Sequence, residues 1–201
     1  MHVLLINGSP HEKGCTYTAL SLVAGELNAA GITTEILNVG TKPVGGCIGC
    51  GGCAKGNGCV FGGVVNEAIE KARTADAFVF GTPVHYASAS GNMTSFLDRL
   101  AYAGGKYLAY KPAAICTSAR RAGTTSALDQ LVKYPEFFHM PLVSGSYWPM
   151  VHGSNPEQVL QDEEGCAVMK ELGRNMAWLL QCIEAGKAAG ISHPENPRRP
   201  M

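Results

Sequence analysis

Val3-Leu4-Leu5-Ile6 runs directly into Asn7-Gly8-Ser9-Pro10-His11-Glu12-Lys13-Gly14-Cys15-Thr16. An unbroken apolar run without alternation suits a β-strand covered on both faces, and the polar glycine loop after it marks the strand's end. Leu20, Val23, Ala24 and Leu27 then recur at helical spacing, as a helix laid on a sheet requires. The same alternation repeats downstream. Residues 77–80 and 113–116 are further unalternating runs, and Met93, Phe96, Leu97 and Leu100 form a second helical stripe. Residues 33–39 read as the second strand and residues 141–147 as the fifth. Strands alternating with helices predict an open parallel α/β sheet with right-handed crossovers.

Composition agrees with one such domain. The chain has 201 residues, 46% hydrophobic and 16% charged, with 16 Lys plus Arg against 16 Asp plus Glu. Low charge with high apolar content excludes a disordered chain and leaves apolar surface for another subunit. A net charge of zero lacks the basic footprint of a nucleic-acid binder, so no nucleic-acid partner is expected. The apolar run at residues 3–6 is too short for a signal-peptide core, and no segment approaches the roughly 18 apolar residues of a membrane span. A soluble, cytoplasmic protein is the expectation.

The loop at residues 7–16 precedes a helix, and a helix N-terminus offers free N–H groups and a positive dipole end. Gly8 and Gly14 allow close backbone approach, while Ser9 and Thr16 add hydroxyls. A nucleotide triphosphate loop needs four residues between its glycines followed by Lys, but five intervene here and Cys15 stands in the lysine's place. A dinucleotide loop needs a third glycine. A single phosphate monoester remains, with a simple glycine turn capped by Ser or Thr as the alternative. Two more loops follow predicted strands: Gly81-Thr82-Pro83-Val84-His85-Tyr86, and Thr117-Ser118-Ala119-Arg120-Arg121-Ala122-Gly123. In an open α/β sheet such loops converge where ligands bind.

Gly-Ser-Pro-x5-Thr after the first strand, Pro-Val-x-Tyr after the third and Ser95-Phe96-Leu97-Asp98-Arg99 on a helix together resemble the NADPH-dependent FMN reductase family of flavodoxin-like proteins. The likeness continues through Arg120-Arg121 and Tyr147-Trp148 to the long C-terminal helix. It implies a flavodoxin-like three-layer αβα sandwich, a five-stranded parallel sheet of order 2-1-3-4-5, and FMN as ligand. By this resemblance Ser9, His11, Cys15 (through its backbone N–H) and Thr16 hold the phosphate. Pro83, Val84, His85 and Tyr86 wrap the isoalloxazine ring, with Thr117, Ser118, Arg120 and Gly123 along its other edge. Family members more often carry Arg or Lys at His11 and Asn or Ser at Cys15. Because the cofactor supplies the chemistry, no side chain is expected to be catalytic.

Residues 40–63 hold 10 of the 25 glycines and four of the eight cysteines. So long a connection needs something to organise it. Its spacing is C-x2-C-x2-C-x5-C, formed by Cys47, Cys50, Cys53 and Cys59. Three thiolates at x2 intervals wrap one corner of a cuboidal cluster, and the fourth returns from further along. All four would ligate one 4Fe-4S cluster. Structural zinc, which favours two separated ligand pairs, and free thiols are the alternatives. The motif also resembles the iron-sulfur flavoproteins, a branch of the same family. That likeness implies a cluster near the FMN of an adjacent protomer, hence a homodimer or homotetramer.

One FMN-binding domain is expected over residues 1–190, with a tail over 191–201 marked by Pro194, Pro197 and Pro200. Ser154-Asn155-Pro156-Glu157 reads as a capping box before a long helix striped by Met169, Leu172, Met176, Leu179 and Ile183. The expected function is transfer of electrons from NAD(P)H or a reduced protein donor, by way of FMN and the cluster, to a small-molecule or protein acceptor. Its rivals are a cluster-free FMN, quinone or azo reductase, a flavodoxin-type carrier, and a zinc-stabilised binding module without flavin. Carriers are usually strongly acidic, against which the neutral chain argues.

Overall fold

The computed structural model describes residues 1–195. Along the chain come β1 (His2–Asn7), α1 (Cys15–Ala29), β2 (Thr33–Asn38), α2 (Val64–Thr74), β3 (Ala77–His85), β4 (Ser88–Ala89), α3 (Gly91–Gly104), β5 (Ala113–Ala119), α4 (Thr124–Phe137), β6 (Met150–His152), α5 (Pro156–Val159) and α6 (Glu163–Ala188). The parallel sheet has the order β2-β1-β3-β5-β6, with β4 paired antiparallel to β3 off that path. Once β4 is set aside, this is the expected flavodoxin-like order.

Alternation within the strands builds the three layers. Leu4 and Ile6 of β1, with Phe78 and Phe80 of β3, face α2, α3 and α4. Val3, Leu5, Ala77 and Val79 face α1 and α6 on the other side. Both faces of the central strands are therefore apolar. Each large side chain buried there contributes roughly 1.5–3 kcal/mol. The stripe on α6 packs into the sheet and α1 through Met169, Leu172 and Met176. Among the described residues no helix is long and apolar enough to cross a membrane.

Two local expectations are corrected. Residues 141–147 do not form the fifth strand. They touch β5 at one bridge, Leu142 with Ala113, and the paired strand comes later, as β6. Side chains of α6 take up the polar groups of the intervening backbone: Glu171 accepts from Ser146, and Asn175 donates to the Ser144 carbonyl. The capping box is also displaced. Asn155, not Ser154, caps the short α5 by accepting from the Gln158 N–H at 2.9 Å, and Asp162 caps α6 separately. The chain therefore turns between two helices. Of the tail, Pro197 and Pro200 lie outside the described residues.

Candidate functional site

β1, β3 and β5 run parallel, so the loops leaving Asn7, His85 and Ala119 gather at one end of the sheet. Asn7 organises the first loop from a fully buried position. Its side-chain oxygen accepts the Ser9 N–H at 3.1 Å, and its amide donates to the Glu12 carbonyl and to Asn38 on β2. The buried Ser9 hydroxyl in turn accepts the His11 N–H at 3.1 Å. Ser90 pins the loop to α3 by donating to the Gly8 carbonyl at 2.9 Å. A methyl on the buried Gly40 would lie 2.4 Å from the carbonyl oxygens of Gly8 and Ser9. Only glycine permits that approach.

No side chain caps α1 at Gly14, and its first turn carries no acidic residue. The simple capped turn is thus not what the loop forms. An uncapped N-terminus of a 15-residue helix keeps its donors and dipole for an anion. Thr16, buried in that first turn, shares a hydrogen bond of 2.8 Å with Ser118 at the end of β5. The Cys15 thiol is half-buried, donates to the Gly153 carbonyl at 3.5 Å, and is pushed up in pKa by burial. It is a poor nucleophile there.

Pro83 and Val84 are half-buried, whereas His85 and Tyr86 are exposed. The hairpin between β3 and β4 turns on Tyr86 and Ala87, with φ of 51° and 61°. Two successive non-glycine residues in the left-handed region carry backbone strain. Gly123, at φ 92°, backs this turn so closely that a methyl there would lie 2.6 Å from the Ala87 Cα. Gly123 therefore lies directly against the turn that follows Pro83 and Val84. Thr117 is fully buried, and its hydroxyl finds no partner among the described residues. Arg120 and His11 are exposed at the rim. The structure thus joins Thr16 to Ser118, sets Gly123 against Val84, buries Ser9 within the first loop, and leaves the side chains of His11, His85, Tyr86 and Arg120 exposed.

Sequence reading missed Asn7, Ser90 and Asn92. Asn92 donates to the carbonyls of Gly40 and Lys42 and accepts the Val44 N–H, anchoring the cysteine loop to α3. Small polar residues at strand ends and helix starts were the available signal.

Across residues 40–63 the regular structure is one 3-10 turn, Gly52–Lys55. Cys47, Cys50, Cys53 and Cys59 line one cavity of about 350 Å³, together with Ile48, Val60, Phe61, Arg99 and Tyr102. The other four cysteines do not line it. Gly49, Gly51, Gly62 and Gly63 take φ between 57° and 68°, which lets the backbone fold around the cavity. Cys59 is the most firmly held. Asn66 on α2 clamps its backbone with two hydrogen bonds of 2.8 and 3.0 Å, and Arg99 donates Nε–H to its sulfur at 3.2 Å. Among the described residues, no three or more His, Cys, Asp or Glu side chains draw together closely enough to hold a metal ion.

Comparison with known proteins bears on both regions. Residues 1–155 match the NADPH-dependent FMN reductase family. An iron-sulfur flavoprotein of Archaeoglobus fulgidus is 30% identical over 175 residues, spanning 85% of this chain and 86% of that protein. One from Methanocaldococcus jannaschii is 26% identical over 192 residues, 92% of this chain and all of that one. Among solved structures, an apo NADH:FMN oxidoreductase superposes with a TM-score of 0.63 at 20% identity, over 90% of this chain and 89% of that one. An archaeal flavodoxin gives 0.62 at 12% identity, over 90% and 99%. With the fold shared and the family pattern covering the loops at the sheet's carboxyl end, the chain belongs to the NADPH-dependent FMN reductase family, with iron-sulfur flavoproteins among its relatives, and is an FMN-dependent oxidoreductase.

Proposed function

We propose that this chain is a two-centre flavoprotein, passing electrons from NAD(P)H or a reduced protein donor to an acceptor by way of FMN and one 4Fe-4S cluster. The observation that carries the reading is the cavity lined by Cys47, Cys50, Cys53 and Cys59 and by no other cysteine. Four thiols are the donor set an iron-sulfur cluster takes, and positive-φ glycines let neighbouring N–H groups turn toward the sulfurs.

The carboxyl end of the sheet fits FMN on two counts. The uncapped start of α1 supplies donors for a phosphate, and the orphaned Thr117 hydroxyl, at a cost of about 1–3 kcal/mol while unpaired, offers a hydrogen bond to a ligand. In this reading Ser9, His11, Cys15 and Thr16 surround the phosphate, Cys15 through its backbone. Pro83, Val84, His85 and Tyr86 form one wall against the ring, and Thr117, Ser118, Arg120 and Gly123 the other edge. FMN supplies one- and two-electron chemistry when bound, and the cluster single-electron transfer. The protein's part is placement. The Thr16–Ser118 bridge fixes the phosphate loop against β5, and the strained Tyr86–Ala87 turn holds Pro83 and Val84 at the rim.

Residues 1–190 act as one FMN-binding unit in this reading, and the tail that begins at Ile191 starts out against it, with His193 stacked on Tyr110. Exposed Ile48, Val60, Phe61 and Tyr102 around the cysteine cavity support a homodimer or homotetramer that covers it. Cysteines kept out of disulfides, four of them as cluster ligands in this reading, favour a reducing, cytoplasmic compartment. The second reading, a cluster-free reductase, is favoured by the solvent exposure of Cys47 and Cys50. Iron and acid-labile sulfide content of anaerobically purified protein separates the two. Cys50→Ser should strip iron and keep FMN; loss of both together contradicts two independent sites.

A further inference from the structure

Arg99 on α3 is only 7% exposed. Among the described residues no carboxylate pairs with it, and the adjacent Asp98 instead accepts the Tyr134 hydroxyl at 2.6 Å. Its guanidinium spends its donors on the cysteine loop: Nε to the Cys59 sulfur at 3.2 Å, and the two terminal nitrogens to the carbonyls of Gly45 at 3.3 Å and Gly62 at 3.0 Å. The ring of Phe61 lies 5.7 Å away. A buried cation without a counter-ion is costly, and two carbonyls and a phenyl ring offset that only in part.

We propose that Arg99 is a positioning and charge-compensating residue for the cluster site, resting on the two-centre reading above. It has two separable roles. By bonding Gly45 and Gly62 at once, it ties the outgoing and returning limbs of the loop to α3, so the return ligand Cys59 is in place before iron arrives. By its charge, it supplies the counter-ion for four thiolates around a cluster that is anionic overall. A cation beside a ligand sulfur favours the reduced, more negative cluster and so raises its potential.

Arg99→Lys keeps the charge and loses the fork, whereas Arg99→Gln loses both. In metal-free protein, amide exchange over residues 45–62 should speed up about tenfold in both variants, while β1, β3 and β5 stay protected and FMN still binds. After anaerobic loading with iron and sulfide, Arg99→Gln should lose iron to a chelator about tenfold faster than wild type. Its cluster potential should shift negative, and that of Arg99→Lys should stay near wild type. Unchanged loop exchange in both variants overturns the positioning role. Full iron retention and an unshifted potential in Arg99→Gln, with wild type loaded, overturn the charge role and leave the cluster standing. A wild type that takes up no iron overturns the two-centre reading and the charge role with it, whereas the exchange measurement judges the loop clamp without iron.

Discussion

Thr16 and Ser118, 102 residues apart, share a buried hydrogen bond of 2.8 Å that fastens the first turn of α1 to the end of β5. Thr16→Val keeps the shape and leaves the Ser118 hydroxyl unpaired. Stability should fall by about 1–3 kcal/mol. FMN affinity should fall about tenfold, because the bridge also sets the phosphate loop. Urea unfolding and a flavin fluorescence titration measure the two effects; no change in either would mean that the bridge neither stabilises the fold nor orders the loop.

Gly40 is where the second crossover meets the first. With a methyl 2.4 Å from two backbone oxygens, Gly40→Ala has no flexible neighbour to push aside and must displace residues 8 and 9. Overpacking of this kind costs about 1–3 kcal/mol, and FMN retention should drop with it. Gly45→Ala is the control, since nothing lies within 4 Å of its new methyl. Equal behaviour of the two variants would sink the close-approach explanation.

Much of this architecture was legible from periodicity. The runs at residues 3–6, 77–80 and 113–116 are strands because helices cover both faces, and the stripe from Leu20 to Leu27 is buried as its spacing demands. The edge strand was not legible. Residues 141–147 have an apolar beginning, but Asn175 and Glu171, some 30 residues on, draw their backbone away from β5. At the site, the glycines, hydroxyls and cysteines announced themselves by spacing. Asn7, Ser90 and Asn92 did not: Ser90 and Asn92 bond to backbone groups of loops far away in sequence, and Asn7 acts through the shape of its own loop and the Asn38 side chain on β2. Nor could spacing reveal that Arg99 reaches the cysteine loop instead of the acid beside it.

The hold of Glu171 on Ser146 makes a pH prediction. Two hydrogen bonds, from the Ser146 N–H at 2.7 Å and its hydroxyl at 2.6 Å, keep this carboxyl below the usual carboxylate range. Folding thus favours the ionised form. Its contribution is complete above the ordinary glutamate value of about 4.3 and is lost as pH falls through the lowered native value. In a Trp178→Phe background, emission from Trp148 should change over that acid window, and Glu171→Gln should remove the transition. A transition that survives in Glu171→Gln belongs to another group.

Ala87 sits at φ 61° beside Tyr86 at 51°. Ala87→Gly relieves the left-handed strain and should stabilise the protein by about 0.5–1 kcal/mol, after the glycine's extra unfolded entropy is offset. Thermal unfolding reads this as a rise of a few degrees. If the turn's strain is what holds the wall formed by Pro83 and Val84, FMN should bind more weakly in the same variant. Higher stability with unaltered binding would separate strain from function.

The central claim is that two redox centres share this chain, and a visible absorption spectrum of anaerobically purified protein, recorded before and after reduction, tests it most directly. Flavin bands riding on a broad sulfur-to-iron absorption that bleaches on reduction are the expected result. Flavin bands alone, with no iron-dependent absorption, would contradict the claim and leave Cys47, Cys50, Cys53 and Cys59 as thiols on a simple FMN reductase.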